Sequence, residues 1–320
     1  MGAVVVPVDL TPTGSDFVHA PFEYHRPGSL SEACELLHAL GPEALPLAGG
    51  TDVMVDLRRG SKQPRHLVSL ADLHELRGIG VENSELKIGA LVTPAQLERS
   101  DAVLSHRPEL LDAVGVFGTP QVRHRATVGG SLCTAASCGD LAPLFMALGA
   151  RVVVEGPGQS RLLSLEEFFG DHRRTVLEPG QILSEVIVST KVPGEGAAYR
   201  VFGLRATNFI TVAGAAAYLR VEGGQCTEAR LALGAVAPTP VMVAAAEDAL
   251  VGSTLSDDDL VEVGVSAGEA SSPISDIRGS AEHRRELVGK LCVRALQGAR
   301  KRALQGARKR ALLAARERAR

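Results

Sequence analysis

Two glycine pairs decide the fold: Leu47–Asp52 reads Leu-Ala-Gly-Gly-Thr-Asp, and Ala126–Leu132 reads Ala-Thr-Val-Gly-Gly-Ser-Leu. The first pair follows a short apolar run, residues 44–48, which predicts a buried strand. A Gly pair permits positive φ and lets backbone N–H groups approach a phosphate without an intervening Cβ, and the adjacent Thr and Ser residues add hydroxyl donors. Two such loops could hold one pyrophosphate between them, as a dinucleotide requires. Either pair alone is also common in purely structural turns.

Other phosphate-binding and nucleic-acid-binding classes are excluded by what the sequence lacks. It has neither a Gly-x-Gly-x-x-Gly after a first strand nor a Gly-x-x-x-x-Gly-Lys-Ser/Thr, so a Rossmann fingerprint and a P-loop are absent. Aromatic residues make up only 3% of the chain and Trp is absent, which argues against a stacking platform and against specific nucleic-acid binding.

The composition is that of an ordinary globular protein: 320 residues, 45% hydrophobic and 22% charged. No apolar run reaches the length of a membrane helix, and the N-terminus lacks the pattern of a signal peptide, so we expect a cytoplasmic protein without a transmembrane segment. The cysteines are scattered, odd in number and without a Cys-x-x-Cys pair, which predicts buried thiols and no metal site. They are Cys34, Cys133, Cys138, Cys226 and Cys292.

Hydrophobic patterning predicts an α+β protein with two larger units that meet near residues 194–198. Residues 1–20 have the character of an irregular leader. In the first unit, Ser29 or Ser31 could cap a helix, and Thr93 precedes Pro94 as the cap of another. The predicted strands there are 66–69, 85–90, 151–155 and 181–189. The second unit has predicted antiparallel strands at 211–221 and 228–236 and helices at 240–250 and 256–268.

The last 27 residues, 294–320, form a basic repeat with a period of eight, Arg-Ala-Leu-Gln-Gly-Ala-Arg-Lys. They contain ten Lys/Arg and one Glu, although the net charge of the whole chain is −3. A period of eight rotates successive leucines about 80° around a helix, so Leu296, Leu304 and Leu312 make no single apolar stripe. We expect a solvated helix here, with a basic arm for an acidic partner as the alternative.

Four segments in this order resemble the FAD-binding subunit of molybdenum hydroxylases, a family that includes the medium subunit of aerobic carbon monoxide dehydrogenase and the flavin domain of xanthine dehydrogenase. The segments are Phe-Glu-Tyr-His-Arg-Pro at 22–27, the first Gly pair, residues 119–132 around the second pair, and Gly-Asp-Leu-Ala-Pro at 139–143. The resemblance covers about residues 20–292. It implies an FAD-binding domain of the vanillyl-alcohol-oxidase/p-cresol-methylhydroxylase (PCMH) type at 21–195, with subdomains at about 21–75 and 76–195. A C-terminal α+β flavoprotein domain would follow at 196–293.

The resemblance also implies a noncovalent FAD site and assigns residues to it by position. The first pyrophosphate loop would be Pro46, Leu47, Ala48, Gly49, Gly50, Thr51, Asp52 and Val53. The second would be Thr127, Val128, Gly129, Gly130 and Ser131. Phe117 would lie near the flavin, Asp140 would accept a hydrogen bond from a ribose or other hydroxyl, Ile182 and Leu183 would pass the cofactor with their backbone, and Arg200 would stand where relatives carry a Lys that reaches the isoalloxazine.

Three details of the sequence bear on that site. The segment 135–140 lacks a proline that many members carry, which predicts a less rigid loop. Arg in place of Lys at Arg200 would alter flavin tuning, and a surface strand position is the alternative for this residue. His124 could contact phosphate or be a solvated loop residue, and no His stands in an evident flavin-linking position.

By resemblance, the chain is an oxidoreductase subunit with no catalytic residues of its own. A molybdopterin-binding large subunit would hydroxylate the substrate, and a small subunit with [2Fe–2S] clusters would pass electrons to FAD on this chain. FAD would then reduce NAD⁺ or a quinone. A dimer of heterotrimers is the expected assembly. A stand-alone FAD-dependent reductase of the same fold and an FAD-free scaffold protein are the alternatives.

Overall fold

The computed structural model describes residues 21–318, with side chains as far as Gly306. The predicted leader, 1–20, lies outside the described residues. The observed architecture is a small parallel sheet, a five-stranded antiparallel sheet with helices, and a four-stranded meander covered by three helices, which confirms the α+β class.

The N-terminal subdomain is a three-stranded parallel sheet in the order β1-β3-β2. Its elements are β1 (Glu23–His25), α1 (Leu30–Leu40), β2 (Ala44–Leu47), α2 (Val53–Arg59) and β3 (His66–Ser69). Ser29, rather than Ser31, caps α1, since its hydroxyl accepts from Glu32 N at 3.2 Å. The predicted strand at 44–48 forms as β2, although it is only half-buried because it is an edge strand.

The second subdomain is built on an antiparallel sheet in the order β4-β5-β10-β6-β7. Its strands are β4 (Ile79–Glu82), β5 (Glu85–Gly89), β6 (Arg151–Gly156), β7 (Gln159–Ser164) and β10 (Ile182–Ser189), with a small hairpin of β8 (Phe169–Asp171) and β9 (Arg174–Thr175). Its helices are α3 (Pro94–Arg99), α4 (Asp101–His106), α5 (Leu110–Val116), α6 (Pro120–Arg125), α7 (Val128–Thr134), α8 (Leu141–Ala147) and α9 (Leu165–Phe168). Thr93 caps α3 in a full capping box with Gln96, as the Thr-Pro pair predicts.

The C-terminal part is an antiparallel meander of β11 (Glu195–Phe202), β12 (Ala213–Glu222), β13 (Gln225–Gly234) and β14 (Val241–Met242). It is followed by α10 (Ala244–Leu250), α11 (Asp257–Ala270) and α12 (Ala281–Arg318). One face of the meander joins the core around α8 through Tyr199 and Tyr218, and the other face packs on α12. Both faces are therefore buried, which explains the Ala-rich, nearly uninterrupted apolar run in β12.

The basic repeat is not a separate tail in its described part, because α12 runs without a break through the predicted division at 294. Ala295, Ala299 and Ala303 recur every four residues and are fully buried. The backbone of α12 comes so close to β11 that a Cβ on Gly196 would overlap the carbonyl of Ala299. The expectation of a solvated helix is therefore wrong for one face of residues 294–306, where Leu296 is buried as well, whereas Arg294 and Lys301 are exposed. The prediction followed the spacing of the leucines, but the stripe that packs consists mainly of alanines.

Candidate functional site

The two glycine loops meet at a cleft between the parallel sheet and the antiparallel sheet. Most of the residues assigned by position line this cleft. They are Pro46, Ala48, Gly49, Gly50, Thr51, Asp52, Val53, Phe117, Thr127, Gly129, Gly130, Ser131, Ile182 and Leu183. The fold thus brings three distant segments to one surface: the two glycine loops, which are some 80 residues apart, and residues 182–183, some 50 residues further on.

Gly49 lies directly against the backbone that precedes the second loop. A Cβ at Gly49 would overlap the carbonyl oxygen of Arg125 and would lie 2.9 Å from its carbonyl carbon and 3.0 Å from Ala126 Cα. Only glycine permits this approach, because nothing flexible stands in the way that could move aside. The two loops therefore contact each other directly through their backbones.

The first loop offers unpaired backbone donors. Within the described part of the chain, the amides of Gly49, Gly50, Thr51, Asp52 and Val53 have no protein acceptor, and the first bond of the following helix is Met54 N to Gly50 O at 3.0 Å. Gly50 turns the chain with a φ of 76°. Successive N–H groups left open on such a turn form an anion-binding concavity, so the loop fits a phosphate group.

The second loop is different, because four of its five amides, those of residues 128–131, already have acceptors inside the protein. Val128 N and Gly129 N donate to the carbonyls of Val92 and Ala90, both at 2.8 Å, and Gly130 N donates to the Thr127 hydroxyl at 3.0 Å. Its glycines allow close packing, since a Cβ at Gly129 would lie 2.6 Å from Ala90 Cβ. The polar groups that this loop offers to a ligand are therefore mainly hydroxyls, notably that of Ser131, rather than the run of N–H groups expected from the sequence.

One side-chain contact reaches across the cleft between α7 and the first loop: the Thr134 hydroxyl lies 2.9 Å from the Gly130 carbonyl and 3.3 Å from Asp52 Oδ2, and its single hydrogen can be donated to either acceptor. Thr134 lies one turn after Gly130 on α7, so its position facing the cleft follows from helical spacing. This spacing is a signal that sequence reasoning overlooked.

Other lining residues were also missed by the sequence analysis. They are Leu45, Lys62, Leu70, Ala90, Leu91, Ala126, Cys133, Leu177 and Gln181. Among the described residues that line the cleft, Lys62 is the single cation, and its Nζ lies 3.7 Å from Asp56 Oδ2. Burial raises the pKa of the Cys133 thiol to about 12, so this thiol stays protonated at neutral pH.

Four residues assigned by position do not line the cleft: Leu47, Val128, Asp140 and Arg200. Val128 is buried in the core, and Leu47 lies beneath Gly50, with Cδ1 3.4 Å from where a Cβ of Gly50 would be. Arg200, on strand β11 of the meander, forms an ion pair with Asp112 on α5 at 3.0 Å. Contacts of these four with FAD stay predictions.

Asp140 has partners of its own inside the protein. Its Oδ1 accepts from the Thr211 hydroxyl at 2.6 Å and from the Tyr199 hydroxyl at 3.2 Å, which ties α8 to the meander. Burial raises the pKa of Asp140 to about 6, and the two hydrogen bonds oppose this rise only in part.

His124 does not line the cleft. It lies on α6, and its Nδ1 is 2.8 Å from the Pro120 carbonyl. No described helix is both long and apolar enough to cross a membrane.

Two family models match this chain. Residues 20–190 match the FAD binding domain in molybdopterin dehydrogenase, and residues 197–299 match the CO dehydrogenase flavoprotein C-terminal domain.

Curated relatives and solved structures agree with these matches. The chain is 34% identical to the carbon monoxide dehydrogenase medium chain of Afipia carboxidovorans over 88% of this chain and 97% of that one. It is 32% identical to the xanthine dehydrogenase FAD-binding subunit of Escherichia coli O157:H7 over 86% and 95%. A structure of reconstituted CO dehydrogenase from Oligotropha carboxidovorans superposes with a TM-score of 0.86 at 32% identity, covering 89% of this chain and 99% of that chain.

Proposed function

This chain belongs to the family of FAD-binding subunits of molybdopterin dehydrogenases, and from that premise we propose that it passes electrons from the [2Fe–2S] clusters of a small partner subunit, through FAD, to NAD⁺ or a quinone-type acceptor. A molybdopterin-binding large subunit would oxidise the substrate, and the complex would be a dimer of heterotrimers in the cytoplasm. The five free cysteines, none of them in a disulfide, support a reducing compartment.

The observation that carries the proposal is the run of unpaired amides at Gly49–Val53, held against the backbone of Arg125 and Ala126. A pyrophosphate supplies acceptors to these donors, and Lys62 lies at the same cleft to offset its negative charge. A protein that had lost its cofactor would have no need to keep these donors open.

When bound, FAD supplies the exchange between single electrons and electron pairs. The task of this chain is to orient the cofactor and to exclude water from part of it. The first loop would bind the pyrophosphate through N–H groups, Ser131 would add a hydroxyl, and the buried Ile182 and Leu183 would provide an apolar wall. The titratable residues among those described in the lining are Asp52, Lys62 and Cys133, so no His is positioned for proton transfer there.

We also propose that FAD is held without a covalent bond. No described His lines the cleft, and the lining thiol, Cys133, is kept protonated by burial and so is a poor nucleophile.

The test is to isolate the complex through a tag on this chain, both as wild type and with Gly49→Ala, and to measure FAD, molybdenum and iron per chain. Carbon monoxide, xanthine and nicotinate, the compounds in the names of its relatives, would serve as trial substrates. We expect the variant to keep molybdenum and iron, to reduce an artificial one-electron dye normally, and to lose FAD together with the reduction of NAD⁺ or quinone.

Two results would overturn the proposal in different ways. FAD on a chain that copurifies with neither molybdenum nor iron would favour the stand-alone reductase. Unimpaired reduction of the acceptor by a complex without FAD would show that electrons do not leave through this chain.

A further inference from the structure

Three side chains with metal-binding atoms lie together on the small parallel sheet, and none of them lines the cleft. They are Glu23 and His25 on β1 and His66 on β3. The two strands pair in parallel with Glu23 opposite His66. Residues two apart on a strand share a face, so this register places all three side chains on the same side of the sheet.

The three donor atoms are separated by distances that suit one bound cation. His25 Nε2 lies 3.1 Å from His66 Nδ1, and Glu23 Oε2 lies 3.8 Å from the first nitrogen and 3.5 Å from the second. The point equidistant from these atoms is about 2.0 Å from each of them, which matches the 2.0–2.2 Å bonds of zinc to imidazole and carboxylate. A small displacement of the cation from their plane gives the pyramid of a four-coordinate site.

A hydrogen bond between the two rings does not account for the whole cluster. In a pair of neutral imidazoles one facing nitrogen donates and the other accepts, which leaves the carboxylate without a donor from that pair. A cation in the centre would instead be bound by all three groups through lone pairs. The two His side chains are only 13% and 17% exposed, whereas Glu23 is half-exposed, so the site would be held in place yet open on one side.

We propose that Glu23, His25 and His66 form a Zn²⁺ site with water in the fourth position. Two imidazoles and one carboxylate suit zinc and its neighbours in the transition series, whereas calcium and magnesium prefer oxygen ligands. Cu²⁺, Ni²⁺ and Co²⁺ would bind the same donors, so metal availability in the cell selects zinc.

The site would have a structural consequence for the N-terminal strand. β1 has only three residues and lies at the edge of its sheet, paired with β3 alone. A cation with two ligands on β1 and one on β3 would fasten this strand to the sheet. Because binding then favours the folded state, zinc should stabilise the protein in proportion to its free concentration.

The test uses the full chain without a His tag, loaded with FAD and stripped of metal by a chelator. Zn²⁺ is titrated in competition with a chromogenic chelator, and we expect one tight equivalent per chain. His66→Gln should weaken binding at least about 100-fold, the upper end of the loss seen when even an outer-shell partner of a zinc ligand is removed. His74→Gln, which changes an exposed His on another segment, is the matched control and should bind as the wild type does.

A second measurement separates loss of the site from loss of the fold. Unchanged FAD content and circular dichroism in His66→Gln would show that the variant folds. Zn²⁺ should raise the thermal midpoint of the wild type and of His74→Gln but not that of His66→Gln. Equal Zn²⁺ affinity in the wild type and His66→Gln, or no bound Zn²⁺ in the wild type, would overturn the proposal.

Discussion

Gly49→Ala is the sharpest test of the contact between the two glycine loops. The added methyl group would overlap the Arg125 carbonyl oxygen and crowd Ala126 Cα at 3.0 Å. The distance between the overlapping Cβ and carbonyl oxygen must grow to about 3.4 Å for ordinary contact, so the two backbones would have to separate by about 1.4 Å. A displacement of that size lengthens an N–H···O bond from about 2.9 Å to about 4.3 Å, beyond the range of a hydrogen bond.

The expected loss of affinity follows from the number of bonds affected. A hydrogen bond to a charged group contributes about 1.5–3 kcal/mol. Loss of two amide bonds to a phosphate therefore costs about 3–6 kcal/mol, or roughly a 10²- to 10⁴-fold weaker affinity for FAD. Gly50→Ala should be milder, because the nearest side-chain atom is 3.4 Å away and the cost is the strain of a φ of 76°, about 1–2 kcal/mol.

The assay is titration of the flavin-free chain with FAD, followed by the change in flavin fluorescence. Gly78→Ala is the control for an added methyl group, since nothing lies within 4 Å of its Cβ. Gly158→Ala is the control for strain, since its φ is 66° in open space away from the cleft. An affinity of Gly49→Ala within about threefold of wild type, in a folded protein, would refute the reasoning on backbone contact.

Three further predictions follow from ionisable groups. Asp140 has a folded pKa of about 6 against about 3.9 when unfolded, so its contribution to stability is present below pH 4 and is lost as the pH rises to 6. In urea unfolding, Asp140→Asn should remove this fall in the free energy of unfolding between pH 4 and pH 6, and the variant should be up to about 3 kcal/mol more stable than the wild type at pH 7. Parallel pH profiles of the two proteins would contradict this. The Arg302 guanidinium beside Asp112 lowers the pKa of that carboxyl, so the stabilisation by this ion pair is present above pH 4 and is lost on acidification. Asp112→Asn should lower the free energy of unfolding by about 2–3 kcal/mol at neutral pH, measured by urea unfolding. An unchanged unfolding midpoint would contradict this. Lys62→Gln should weaken FAD binding about 10-fold at low salt and less at high salt, and an effect independent of salt would show that its charge is not involved.

Local sequence patterns predict structure reliably where the physical cause is itself local. The Thr93-Pro94 pair predicts the capping box of α3, and the Gly pairs predict loops that meet at one cleft. Capping and tight turns depend on the backbone conformation of a few neighbouring residues, and that conformation follows directly from residue types such as Thr, Pro and Gly.

Features that depend on distant partners could not be predicted in the same way. The protein partners of Asp140 are an example, since the hydroxyls that it accepts from belong to residues about 60 and 70 positions away. The amides of the second loop were expected to face a phosphate, but the strand end at Ala90 takes one of them. His25 and His66 are 41 residues apart, and only the register of β1 on β3 brings them together.

The packing of one face of residues 294–306, within the basic repeat, shows a different limit of sequence patterns. Its charge suggests solvent exposure, yet Arg302 donates to both carboxylate oxygens of Asp112 while Ala299 and Ala303 pack on β11. Alanine contributes little to the hydrophobic periodicity from which a buried helix face is predicted, although close packing of a helix on a sheet requires small residues.

Release of the cofactor from the purified chain shows whether this protein binds FAD and whether the flavin is held without a covalent bond. The purified wild-type chain is denatured by heat, and the chromophore in the supernatant is identified and quantified by chromatography and mass spectrometry. We predict one FAD per chain, released unmodified and with no flavin left on the polypeptide. A chain that binds no flavin after incubation with excess FAD would contradict the account, as would flavin that remains covalently attached.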